Sequence, residues 1–296
     1  MIPFKTVELQ DKQWINERLR KASFKSCDYS FVNNFIWRVP NKISFADING
    51  FYCLYSEDGG EGAYTYPAGS GDIKPVLEAL MQDANERGRE FILRGMTTET
   101  AKLIETLFPN KFSYENNRDY SDYIYLVEKM INLSGKKLHS KRNHIARFED
   151  NPDWTYEDIT PQNIDECLFM NNEWCKRYKC VEAPGLNHEV CAVKQAFKHF
   201  FDLDLHGGLL RLGGRVVAYT MGEPLSADTY VIHIEKAFPD IRGAYPMINQ
   251  QFLIHNCKEY IYVNREEDLG DEGLRKAKMS YYPDILLEKV TAVLRK

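Results

Sequence analysis

The alternation of apolar and polar positions up to about Arg20 suits an edge strand and a short helix. Phe31 to Trp37 is apolar enough to be buried, with no clear period. Phe51 to Tyr55 and Ala63 to Tyr66 read as two strands joined by the turn Glu57-Asp58-Gly59-Gly60. Pro67 to Gly71 breaks the run. Asp72 can cap a helix with Pro75 in its first turn, and Val76, Leu77, Leu80, Met81 and Ala84 form its apolar stripe. Phe91 to Leu93 predicts a buried strand, Thr97 to Phe108 a helix, and Tyr123 to Val127 a further strand.

Next comes Leu133 to Phe148, LSGKKLHSKRNHIARF. Its spacing predicts a helix with Ser134 as N-cap and with Leu138, Ile145 and Phe148 as apolar anchors. Lys137, Lys141 and His144 fall on one face, with Arg142 and Arg147 beside them. Cations at a helix start oppose the helix dipole. Two readings stay open: a solvated basic face, or a helix start whose Lys137, Lys141, Arg142 and His144 meet an anion such as phosphate.

The pattern then resumes. Trp154 to Tyr156 begins a strand, Asn163 to Tyr178 is a helix, Val181 to Asn187 a loop and His188 to Phe201 a second helix. Leu209 to Leu212 and Val216 to Met221 form a hairpin around Gly213-Gly214. Tyr230 to Glu235 is a strand, Ile248 to His255 lies in a helix, Tyr260 to Val263 is a strand and Glu272 to Met279 a helix. Leu286 to Leu294 reads as a closing strand or, at its end, a helix. Each half runs hairpin, strand, helix, strand, helix, strand. That order predicts an α+β or α/β-like fold with mixed sheets in two domains, residues 1–132 and 151–296, joined by a basic helix over 133–150.

Composition narrows the picture. At 296 residues, with 44% hydrophobic content, the chain can build two real cores. A net charge of −5 excludes wholesale coating by nucleic acid but leaves room for a local basic patch. The seven cysteines are scattered, Met1 to Lys5 lacks the apolar stretch of a signal peptide, and no apolar run is long enough to cross a bilayer. The expectation is a cytoplasmic protein with free thiols.

Candidate chemistry concentrates in two places. Along Tyr230 to Glu235, His233 and Glu235 share one strand face, a usable acid/base pair, or an exposed edge with a satisfied histidine. Asn264 and Arg265 follow an apolar strand, where α/β proteins tend to place ligands. The acidic run Glu266, Glu267, Asp268, Asp271 and Glu272 suits a helix start or the recognition of an amino group. Its spacing matches no EF-hand. Cys167, Cys175, Cys180, Cys191 and His188 lack the close-paired ligands of structural zinc, so no metal is expected. PAGSG from Pro67 lacks the Lys-Ser/Thr ending of a P-loop.

LSGKKLHSKRNHIARF resembles the signature of the C-terminal domain family of phosphatidylglycerol lysyltransferases, including its soluble members, and Asn264 to Pro283, NREEDLGDEGLRKAKMSYYP, is a second matching stretch. That family is similar to the tandem acetyltransferase-like (GNAT) fold of the aminoacyl-tRNA-dependent Fem peptidyltransferases. The resemblance implies two GNAT-like domains, with the acyl-CoA N-acyltransferase fold. It places the strand Tyr230 to Glu235 beside the acyl-donor cleft, Glu235 as general base and His233 as its partner. The family lysine maps onto Lys278, which would stabilise the donor phosphate or the oxyanion. Arg275 and Tyr281 lie in the same motif as substrate contacts with Asn264 and Arg265, although Ala277 replaces the family's usual aromatic.

The implied function is transfer of an aminoacyl group from aminoacyl-tRNA to an amine or hydroxyl of a small molecule or peptide. Acetyltransferases hold the coenzyme A pyrophosphate on a Gly-rich helix start. Here Tyr245 and Pro246 intrude on Arg242-Gly243-Ala244, which argues against an acyl-CoA donor. An acyl-CoA-dependent N-acyltransferase and a non-catalytic RNA- or nucleotide-binding module are the rivals. Full-length lysyltransferases carry a membrane portion and none is read here, which argues against a phospholipid acceptor.

Overall fold

The fold was analysed in a computed structural model that describes residues 1–58, 60–178 and 186–295. The chain forms two units. One comprises Met1–Tyr123, Glu267–Arg275 and Leu286–Lys296; the other comprises Ile124–Glu266 and Lys276–Ile285. These bounds depart from a division into 1–132 and 151–296, because two carboxyl-terminal segments cluster with the amino-terminal unit.

The first unit holds a seven-stranded mixed sheet in the order Lys5–Thr6, Ser44–Ile48, Phe51–Asp58, Glu61–Thr65, Ile92–Met96, Val290–Leu294, Phe112–Asn116. The hairpin read from the sequence is present, in register Tyr55↔Tyr64 and Asp58↔Glu61; Gly59 of its turn lies outside the described residues. Glu61–Thr65 pairs in parallel with Ile92–Met96. Helix Lys74–Glu86 follows its apolar stripe and buries Val76, Leu77, Leu80 and Ala84. Asp72 supports its start, its Oδ1 accepting from the Lys74 N–H at 3.0 Å. Thr97 caps helix Thr98–Leu107. The apolar run at Phe31 proves to be helix Phe31–Ile36, capped by Ser30, whose Oγ accepts from the Asn33 N–H at 2.9 Å. Phe51, Tyr55, Tyr64, Phe91, Phe108 and Phe112 fill the core beneath the sheet. Each such ring stabilises by roughly 1.5–3 kcal/mol on burial.

The second unit holds a second mixed sheet, in the order Ile285–Leu287, Asp122–Leu126, Tyr262–Asn264, Thr229–Ala237, Arg215–Pro224, His206–Leu212, Trp154–Asp158. Within it, Thr229–Ala237 and Tyr262–Asn264 pair in parallel. Helix Ala244–Asn256, longer than the pattern suggested, buries Met247, Ile248, Phe252 and Leu253 and packs on the sheet. Helix Ile164–Tyr178 ends at the last described residue before 186, where helix Leu186–Lys198 begins; most of the expected loop Val181 to Asn187 lies outside the described residues.

Two readings need correction. The stretch from Leu133 is not one capped helix. Gly135 opens a 3-10 turn over Lys136–Leu138 at φ 87° with no side-chain cap, and the α-helix runs only over His139–Glu149. Likewise, Leu286 to Leu294 is not one strand. Ile285–Leu287 edges the second sheet, whereas Val290–Leu294 lies inside the first. The chain thus exchanges strands: Asp122–Leu126, from the amino-terminal half, pairs in the second sheet, and the last strand of the chain pairs in the first. Seven strands and flanking helices in each unit make the tandem GNAT-like, α+β architecture implied by the resemblance.

Candidate functional site

The second unit assembles its polar cluster around the central strand Thr229–Ala237. Pairing with Arg215–Pro224 shifts register between Met221 and Gly222: Met221 opposes Ile234 and Gly222 opposes Ile232, which leaves His233 as an extra residue. Such bulges re-aim side chains and recur beside functional sites. Gly222 is required there, since a Cβ would meet the Val231 carbonyl oxygen at 2.2 Å.

His233 and Glu235 do emerge on the less buried side of this strand, but they do not pair with each other. His233 is almost wholly enclosed. Its Nδ1 lies 2.7 Å from Glu266 Oε1 and its Nε2 3.3 Å from Glu223 Oε1. Two carboxylate acceptors require both ring nitrogens to carry protons. Burial works against the charged ring, but the hydrogen bonds to Glu223 and Glu266 outweigh it and raise its pKa to about 9. His233 is therefore an imidazolium clamp.

Glu235 instead accepts from Arg265 Nη2 at 2.7 Å and from Asn249 Nδ2 at 2.9 Å. Arg265 stands just past the carboxyl end of Tyr262–Asn264, and Asn249 sits on the buried face of helix Ala244–Asn256. The pair is nearly dry, with 12% and 10% of the two side chains exposed. Glu235 is thus held by two donors, an arrangement suited to fixing Arg265 more than to accepting a proton. The Arg265 guanidinium lies over two rings, 5.1 Å from the centre of Tyr281 and 6.0 Å from that of Tyr125. Its Nη1 is buried without a hydrogen-bond partner among the described residues.

Lys141, on helix His139–Glu149, joins this cluster. Its Nζ lies 4.0 Å from the centre of the Tyr281 ring. Burial and the neighbouring Arg265 charge, opposed by Glu235, bring its pKa down to about 8. Burial pushes the Tyr281 phenol up. Lys278 is buried on helix Glu272–Met279, and its carbonyl accepts from the Tyr125 hydroxyl at 2.8 Å.

The other residues singled out in the sequence fall elsewhere. Asn264 is fully buried, and its Oδ1 accepts from the Glu266 N–H at 2.7 Å, shaping the turn that presents Arg265 and Glu266. Arg275 belongs to the first unit, where its Nη2 binds Asp268 at 2.7 Å and Asp119 at 2.6 Å. Arg142 donates to the carbonyls of Leu133 and, at 2.8 Å, Gly135, tying down the turn before its own helix. Lys137 stands exposed over the Tyr282 ring at 5.1 Å. His144 is exposed, while its backbone carbonyl meets Gly243: a Cβ there would lie 2.0 Å from the His144 oxygen. The basic helix therefore packs on the very start of helix Ala244–Asn256, where coenzyme A would need open backbone. Sequence reasoning missed Asn249, Tyr125 and Glu223. For Asn249 a signal existed, since helical spacing sets it on the face of Phe252 and Leu253, apart from its polar neighbours Gln250 and Gln251.

The first unit carries a separate buried cluster. Lys289 Nζ lies 2.9 Å from Asp122, 3.0 Å from Asp28 and 3.5 Å from Cys27 Sγ, and also contacts Glu267. Among the described residues, Cys27, Asp122 and Glu267 are the ligand-type atoms close enough to share a metal ion. The Lys289 ammonium already sits among them, so a cation would have to displace it. The zinc possibility weighed around Cys180 includes a residue outside the described set.

The sequence pattern of the family described as phosphatidylglycerol lysyltransferase, C-terminal, matches residues 20–293. The chain belongs to that family. A solved protein of unknown function from Bacteroides thetaiotaomicron is 42% identical, with all of both chains covered and a TM-score of 0.95. L-PGS from Bacillus licheniformis shares the fold at a TM-score of 0.68 and 16% identity, over 100% of this chain and 94% of that one. FemX shares it at 0.60 and 7% identity, over 98% and 97%. An uncharacterised protein of Mycoplasmoides gallisepticum is 22% identical over 57% of this chain; the match spans about half, 54%, of that relative. The lysyltransferase C-terminal family thus supplies an aminoacyl-transferase-like scaffold. No described helix is long and apolar enough to cross a membrane.

Proposed function

We propose that the second unit transfers an aminoacyl group from the 3′ ester of an aminoacyl-tRNA to an amine or hydroxyl of a small molecule or peptide, in the cytoplasm where charged tRNA is found. The observation that carries this reading is the cluster of Glu235, Arg265, Tyr281 and Lys141 on one nearly dry, ring-floored site beside the bulged central strand. Such a site aligns an ester and a nucleophile and stabilises developing charge without covalent catalysis. Arg265, fixed by Glu235, which Asn249 holds in turn, would hold the oxyanion or a donor phosphate, the role the resemblance gave to Lys278. Lys137 and the exposed basic residues around it would meet the tRNA backbone. The family name points to lysine as the first amino acid to test.

Packing of His144 against Gly243 speaks against the acyl-CoA alternative, since the helix start that would cradle pyrophosphate is closed by backbone. The test is consumption of a mixed pool of radiolabelled aminoacyl-tRNA by the purified protein, with thermal shifts for charged tRNA, uncharged tRNA and acetyl-CoA. Transfer that collapses in Arg265→Ala is expected. A stabilisation by acetyl-CoA alone would defeat the tRNA reading, and tRNA binding without any transfer in the wild-type protein would favour a binding module.

A further inference from the structure

The reaction proposed above needs a group that takes a proton from the attacking nucleophile and returns it to the leaving oxygen. Glu235 was the expected base, but both of its oxygens are engaged, one by Arg265 and one by Asn249. His233 is locked between Glu223 and Glu266. Lys141 is different. It makes no hydrogen bond and no ion pair among the described residues, and its Nζ rests on the face of Tyr281. The same ring also carries the Arg265 guanidinium. One carboxylate, Glu235, therefore serves two cations, and it is bonded to the other one.

We infer that Lys141, in its neutral amine form, is the proton-transfer residue of this site, an inference that rests on the aminoacyl-transfer reading. As the nucleophile's N–C or O–C bond to the ester carbonyl forms, its proton passes to Lys141 Nζ and the carbonyl electron pair moves onto oxygen. When the tetrahedral species collapses, the bond from the acyl carbon to the ribose oxygen breaks and Lys141 returns the proton to that oxygen. The lysine ends as it began, and no other reactant is consumed.

The surroundings of Lys141 favour this form. Arg265 faces it from the turn after Tyr262–Asn264, Glu235 from the central strand and Tyr281 from beyond helix Glu272–Met279. On its own side, Lys137 lies over Tyr282 and Arg142 is bound to carbonyls. Burial and Arg265 make the ammonium easy to deprotonate near pH 8, so a useful fraction is neutral at physiological pH.

Arginine at this position separates the two roles a lysine could play, because it keeps the charge but does not give up its proton. Competitive acetylation of the wild-type protein with trace acetic anhydride between pH 6 and 11, read by mass spectrometry of the Lys141 peptide, should give a midpoint near 8. A midpoint in the ordinary lysine range overturns the inference. Transfer from mixed aminoacyl-tRNA should rise through the same pH, fall on the order of 100-fold or more in Lys141→Arg, and be partly restored to Lys141→Ala by added alkylamines. Retention of activity within threefold in Lys141→Arg shows a charge role only and overturns the inference while leaving the transferase reading intact. Absence of transfer by the wild-type protein at every pH overturns both.

Discussion

Replacing His233 with glutamine tests the imidazolium clamp directly. In the native protein the ring is buried between Glu223 and Glu266, with its pKa raised from an ordinary 6.5 to about 9. Linkage converts that rise into roughly 3 kcal/mol of stability for the charged ring. The sign follows from the direction. A group whose folded pKa is raised stabilises fully below its unfolded value, here below about 6.5, and the stabilisation is lost as pH climbs through about 9. Glutamine can hydrogen-bond but cannot take a proton. His233→Gln should therefore be less stable than wild type at pH 6, and the gap should shrink by roughly 3 kcal/mol between pH 6.5 and 9.5. Urea unfolding at matched pH values measures the gap, and other titrating groups cancel in the difference. The carbon-bound ring protons of His233 should also titrate near 9 by NMR. A gap that stays constant across this range means the ring is neutral in the native protein, and the reasoning from two carboxylate contacts would be wrong.

Three further outcomes follow from other contacts. Glu267 is raised to about 8 by burial, against the pull of Lys289, so ionising it costs the folded state; wild-type stability should fall as pH rises from about 4.5 to 8, and Glu267→Gln should flatten that slope in a thermal-melt series. A slope unchanged by the substitution would place the titration elsewhere. Gly243→Ala forces a Cβ to within 2.0 Å of the His144 carbonyl at φ 83°, so a loss of about 2 kcal/mol or more is expected in urea unfolding, and a loss below about 0.5 kcal/mol would show that the helix contact gives way. Arg265→Ala leaves the Glu235 carboxylate buried without its ion partner and should cost about 3–5 kcal/mol, while Arg265→Ala combined with Glu235→Gln should cost less than the sum; additive losses in the double-mutant cycle would deny the coupling.

Local pattern carried a large part of the architecture. The stripe Val76, Leu77, Leu80, Ala84 lies on a real helix. The Gly213-Gly214 hairpin pairs as read, with Arg215 opposite Leu212, and the strand through His233 and Glu235 lies where alternation put it. Two strands, Ser44–Ile48 and Phe112–Asn116, escaped notice. The second of these is mostly exposed and polar, with no burial pattern to reveal it. Of the site, Glu235, Arg265, Tyr281 and Lys141 were all legible as candidates, but Lys141 stood grouped with the exposed basic face, and Glu235 stood paired with His233.

What sequence alone could decide was therefore the period, the caps and the residue types, since each depends on neighbours within a turn or two of the chain. Partnership is another matter. Glu235 finds Asn249 and Arg265, 14 and 30 positions away, and His233 finds Glu266, 33 positions away. Parallel pairing of Thr229–Ala237 with Tyr262–Asn264, and the packing of helix Ala244–Asn256 on that sheet, set those distances in space. Only the folded chain makes these choices, because sheet register and the burial of an ion pair are settled by which distant backbone and side chains remain to satisfy each polar group once water is gone.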